Sequence, residues 1–138
     1  MDDLFSDAVD QLLSAQCTPQ VVRAIEAGGA HAALWQQLED AGFADALVPE
    51  AAGGAGLCLA DVQGVLAQCG AHALPLPLGE TLLARGLLAA AGVARPKGAI
   101  TLAEASAVGS AAGGALRCAN VRLGAVADWV LVARLDPL

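Results

Sequence analysis

The sequence predicts an α+β fold: an N-terminal all-α helical bundle of about five helices over residues 1–95, then a short, incomplete antiparallel β region over residues 96–138. Apolar residues recur at helical spacing before residue 95, and β-branched segments with partial alternation replace them beyond "ARPKG". A length of 138 residues suits one modest domain, or one complete unit and part of another.

The elements follow in order. Leu4, Phe5, Ala8, Val9, Leu12 and Leu13 form one apolar stripe, with Asp2 and Asp3 where a helix N-terminus favours negative charge. Thr18 before Pro19 is a cap and first-turn signal, so "PQVVRAIEA" reads as a second helix closed by Gly28 and Gly29. Leu34, Trp35, Leu38 and Ala41 mark a third, ending at Gly42. A fourth runs from about Leu59 to Cys69 with Val62, Leu66 and Cys69 on one face. Pro75 and Pro77 interrupt "HALPLPLGE", since each removes an amide donor and restricts its predecessor. A fifth helix covers about Glu80 to Ala91, with Leu82, Leu83, Leu87 and Leu88 as its stripe and Gly92 as its stop. Beyond it, "AITLAEA", "ALRCANVRL" and "WVLVARL" read as three strands, which need a surface to pack against.

Composition excludes several functions. Apolar residues make up 57% of the chain, aromatics only 3%, and net charge is −7, with no cluster of basic side chains. Nucleic acid is therefore not an expected partner. The acidic N-terminus lacks a secretory pattern, and the longest apolar run, "GLLAAAGVA", is too short to span a bilayer, so no membrane role and a cytoplasmic location are expected. An apolar excess in so short a chain also predicts exposed apolar helices, and through them a homo- or hetero-oligomer. Cys17, Cys58, Cys69 and Cys118 show no CxxC pair, which predicts reduced thiols. Cys69 and His72 have a ligand-like spacing, but His31 is the only other histidine, so no metal is expected.

Catalytic templates find no match. The glycines of "VPEAAGGAGLCLA" lack the lysine of a phosphate loop and the full dinucleotide spacing, so Gly53 and Gly54 are expected to serve a tight bend. "VGSAAGG" has Val108 where a nucleophile elbow needs glycine. Glu39 and Asp40 are adjacent and point apart on a helix; Glu50, after Pro49, is expected to hydrogen-bond locally.

Taken together, "LWQQLEDAGFADALVPEAAGGAGLCLADVQGVLAQCG", "ALPLPLGETLLARGLL", "AITLAEASAVGS" and "VRLGAVADWVLVARL" resemble the acyl-CoA dehydrogenase family. The resemblance implies a helical N-terminal domain followed by the start of a middle β-domain. It implies FAD as cofactor and acyl-CoA as the substrate of a complete enzyme. A flavin-contacting segment of the type TEP..GSD falls at Ala103, Glu104, Gly109 and Ser110, which the resemblance makes the cofactor-binding residues. The threonine, proline and aspartate of that segment are replaced, leaving backbone amides and the Ser110 hydroxyl as donors. Members of the family are longer, and their catalytic glutamate lies in a C-terminal helical bundle, so no residue here is assigned as catalytic. The leading expectation is the N-terminal portion of an acyl-CoA dehydrogenase-like flavoprotein, not competent alone. A second class stays open: a non-catalytic subunit or interaction module docking on a partner dehydrogenase.

Overall fold

The computed structural model describes residues 3–107 and 116–134. Helix α1 spans Asp3–Gln16, α2 Pro19–Glu26, α3 Ala32–Asp40, α4 Gln63–Ala71 and α5 Leu78–Ala90. Strand β1 spans Ile100–Ala107, β2 Leu116–Cys118 and β3 Trp129–Arg134. The α+β class and the five expected helices are thus present. Their apolar faces meet in one core, where Val9 and Leu13 of α1, Leu38 of α3, Val65 of α4 and Leu82 of α5 are all fully buried. Each such side chain contributes about 1.5–3 kcal/mol of transfer free energy.

Local chemistry sets the helix ends. The Thr18 hydroxyl accepts the Val21 amide at 3.3 Å and Pro19 opens α2, as the sequence predicts. Three helices end with the same pair of reversed hydrogen bonds around a left-handed residue: Gly28 after α2, Ala73 after α4 and Gly92 after α5. Two of these positions carry glycine. Ala73, at φ +49°, carries a Cβ where the backbone disfavours one. Helix α4 starts later than periodicity predicts because the Asp61 carboxylate takes the Cys58 amide at 2.8 Å, holding Cys58–Val62 in turns. Helix α5 starts earlier, on the first residue past Pro77, whose carbonyl accepts the Thr81 amide at 2.9 Å.

The expected stripes hold in part. Leu4 and Ala8 of α1 face solvent, Leu4 being 79% exposed, while Val9 and Leu13 turn inward toward α4. On α5 the buried face is Leu78, Thr81, Leu82, Ala84 and Arg85, and Leu87 is 60% exposed. Two polar side chains therefore occupy core positions that the apolar pattern assigned elsewhere.

The strand pairing corrects one expectation. The sheet order is β2-β1-β3, and the pairing is mixed instead of antiparallel. Strand β1 pairs antiparallel with β2 from Ala105↔Cys118 to Ala107↔Leu116, and parallel with β3 from Ile100↔Trp129 to Ala105↔Arg134. The reason lies in the connection. Among the described residues of "ALRCANVRL", Leu116–Cys118 is strand; Asn120 and Leu123 at φ +54° and a 3₁₀ turn at Gly124–Val126 carry the chain back to the start of β1. There the Asp128 and Trp129 amides both donate to the Ala99 carbonyl, at 2.8 and 3.0 Å, so β3 sets off alongside β1 in the same direction.

Candidate functional site

The glycine-rich stretch is a bend folded back on its own approach. The Ala55 amide donates to the Asp45 carbonyl at 3.2 Å, Gly56 to Val48 at 2.8 Å and Leu57 to Ala46 at 2.9 Å. Gly53 lies at φ +90°, and a Cβ on Gly54 would stand 2.6 Å from the Asp45 carbonyl oxygen. Gly53 thus provides the left-handed turn and Gly54 the close approach. Their amides are spent on the chain itself, and Glu50 sits exposed at the edge of the bend.

The larger opening lies elsewhere. A cleft of about 850 Å³ runs between the end of α2, the facing ends of α4 and α5, and the loop before β3. Ile25, Leu66, Leu74, Leu76, Leu83 and Val126 make its walls apolar. Glu26, His31, Glu80 and Arg122 supply its polar groups. Arg122 Nε lies 3.1 Å from Glu80 Oε1, so this carboxylate is already engaged by a cation. Ala73 and Leu123, two of the three non-glycine residues at positive φ among the described residues, also line the cleft. Strained backbone of this kind persists where surrounding structure over-determines it, and binding sites are a common place for it. The arrangement suits an apolar ligand with a polar end, which is the usual composition of a small-molecule site.

Cys69 borders the same cleft, and burial, with the nearby Glu80 charge adding to it, pushes its thiol up to about 11. Burial also raises Cys17, whose Sγ lies 3.7 Å from the His72 carbonyl. Both thiols stay protonated at neutral pH and are poor nucleophiles. His31 caps α3, and His72 caps α4 with Nε2 2.7 Å from Asp10 Oδ1, a link between α4 and α1. No group of three or more His, Cys, Asp or Glu among the described residues is placed to hold a metal ion.

The helices and the β region are joined by a polar network that sequence reading missed. Arg85, only 3% exposed, places Nη2 2.5 Å from Glu39 Oε1 and 3.2 Å from the Gly98 carbonyl, and Nη1 3.3 Å from Asp45 Oδ1. The other Glu39 oxygen accepts the Trp35 indole N–H at 2.7 Å. Thr81, fully buried, accepts the Ile100 amide at 2.9 Å and has its own hydroxyl proton within reach of the Ile100 and Pro77 carbonyls. Asp128 Oδ2 accepts the Ala99 amide at 2.8 Å. One signal was present in "LLARGLL", where Arg85 interrupts a leucine run three residues after Leu82 and three before Leu88. Glu39 and Asp40 do diverge: Asp40 is exposed and accepts the Gln36 amide group at 2.7 Å.

Of the cofactor residues that the sequence resemblance implies, Ala103 and Glu104 lie on β1, beside Val132 and Ala133 of β3. Gly109 and Ser110 fall outside the described residues. Ala103 has no polar side-chain atom, and Glu104 is an exposed carboxylate that accepts hydrogen bonds and donates none when ionised. Neither borders the cleft. Of these four positions the described residues thus include two, neither with a side-chain donor.

Residues 2–97 match the family described as acyl-CoA dehydrogenase, N-terminal domain. The chain is 36% identical over 110 residues to a curated protein of Mycobacterium tuberculosis (strain ATCC 25618 / H37Rv) named acyl-CoA dehydrogenase IpdE2. That alignment takes in 78% of this chain and 35% of the relative, so the match spans about a third of the relative's length. No solved structure matches. No helix of the described residues is long and apolar enough to cross a membrane.

Proposed function

The chain belongs to the acyl-CoA dehydrogenase family, and from that premise we propose that its cleft receives the acyl part of an acyl-CoA thioester. The observation that carries this reading is the cleft itself, about 850 Å³ with apolar and polar lining side by side, built by α2, α4, α5 and the loop before β3. Burying an acyl chain there removes apolar surface from water at about 25 cal/mol per Å². His31 and Arg122 would face the polar end of the ligand.

The reaction proposed for the complete assembly is α,β-dehydrogenation. FAD is its proposed redox cofactor; Ala103 and Glu104 offer it no side-chain donor, so their part in holding it would fall to backbone amides. In this reading the chain supplies the helical wall and is not competent alone; of the carboxylates bordering the cleft, Glu26 and Glu80, the latter is paired with Arg122. The remainder comes from further polypeptide or from a partner subunit. The exposed Leu87 and Trp129, the latter 52% accessible on the outer strand, support the docking of such a partner.

Titration calorimetry of the purified chain with a medium-chain acyl-CoA and with free CoA tests the reading. The acyl-CoA is expected to bind with a negative heat-capacity change and free CoA to bind far more weakly. Equal binding of the two, or binding of neither, would contradict it.

A further inference from the structure

We propose that Leu66, resting on Gly79, sets the width of the cleft and thereby discriminates bulky from straight acyl groups. The inference builds on the acyl-cleft reading above and assigns its selectivity. Gly79 lies in the first turn of α5 and Leu66 on α4, and both border the cleft. A Cβ added at Gly79 would meet one neighbour within 4 Å, the Leu66 Cδ2 methyl, at 2.9 Å. The missing Cβ is therefore the space into which the leucine withdraws. Leu66 is 38% exposed, and Val65 on the same helix, with Val62 at its N-cap, is fully buried in the core. Because the colliding atom is the free end of a flexible side chain, a methyl group at 79 displaces the leucine and leaves the backbone where it is. The displaced side chain then takes up room in the cleft.

A discriminating position behaves in a definite way. One methylene-sized change in an apolar pocket alters relative affinity by roughly 10- to 200-fold for a ligand that fills it, and less for one that does not. Gly79→Ala is accordingly expected to weaken a phenyl-bearing acyl-CoA about tenfold, and a straight acyl-CoA of equal carbon number less than about threefold. Leu66→Ala removes the obstructing group, so the double variant Gly79→Ala with Leu66→Ala regains the phenyl-bearing ligand.

The experiment is calorimetric titration of the full chain and its three variants with the two acyl-CoA probes, each variant checked for unchanged helical circular dichroism. Selective weakening of the phenyl-bearing probe in Gly79→Ala and its recovery in the double variant are the expected result. Equal weakening of both probes by Gly79→Ala, no change in either, or no recovery in the double variant would overturn the role of Leu66 while leaving the acyl-cleft reading intact. Binding of neither probe to the unaltered chain would overturn both.

Discussion

Arg85 of α5 and Glu39 of α3 meet at 2.5 Å in the interior, with Asp45 3.3 Å from the same guanidinium. The pair fastens two helices, the bend that follows α3 and the entry to β1 at Gly98. Removing one partner of a buried ion pair strands the other, which costs about 3–5 kcal/mol. Arg85→Met is expected to lower stability by that amount in denaturant unfolding. Glu39→Gln keeps the oxygen that faces Trp35 and leaves Asp45 in place, so a smaller loss of about 1–2 kcal/mol follows. Equal stability of Arg85→Met and the unaltered chain would contradict this role.

The glycine bend gives a second expectation, in which neighbouring residues differ in kind. Gly53→Ala places a Cβ on a left-handed residue and costs about 1 kcal/mol. Gly54→Ala drives a Cβ toward the Asp45 carbonyl and Val48, backbone and β-branched atoms that cannot rotate aside, and costs about 3 kcal/mol. Denaturant midpoints of the two variants check the order; a reversed order would mean that the bend is held in another way.

Ala73 is the mirror case. It occupies the left-handed position that Gly28 and Gly92 fill at the ends of α2 and α5. Relief of about 1–2 kcal/mol of backbone strain, less the added unfolded-state entropy of glycine, leaves a net gain of about 0.5–1 kcal/mol for Ala73→Gly. Thermal unfolding would register this as a higher midpoint, and a lower one would contradict it.

Cys69 makes the protein's stability depend on alkaline pH. The folded chain holds this thiol protonated up to about 11, whereas the unfolded chain releases the proton near the ordinary 9.0. Between those values the unfolded state binds fewer protons, so stability is complete below 9.0 and falls as pH rises through the window. Replacing Cys69 by Ala is expected to flatten that fall, as followed by denaturant unfolding at several alkaline pH values. The same burial predicts that exposed Cys58 reacts with iodoacetamide well before Cys69 does.

Much of this fold is legible in local signals. Thr18 and Pro19 mark a helix start, Pro75 and Pro77 an extended crossing, and "AITLAEA" and "WVLVARL" two strands, because caps, rings and alternation act on neighbouring residues. The mixed pairing was not legible, since the direction of β3 is set by a turn through Leu123 and by two amides converging on Ala99. Nor was the interior position of Arg85: its carboxylate partners lie 46 and 40 residues away, and only the packed chain brings them together. The cleft is of the same kind. Ile25, Leu66, Leu83 and Val126 each look like ordinary apolar positions until four segments converge.

The most direct test of the proposed function is photo-crosslinking of the purified chain with an acyl-CoA bearing a diazirine on its acyl group, followed by peptide mapping. Labels confined to the segments around Ile25–His31, Leu66–Leu83 and Leu123–Val126, and suppressed by excess unlabelled acyl-CoA, are the predicted result. Labels that fall instead on the glycine bend at Gly53–Gly56, or that excess acyl-CoA fails to suppress, would contradict the assignment of the cleft to the acyl group.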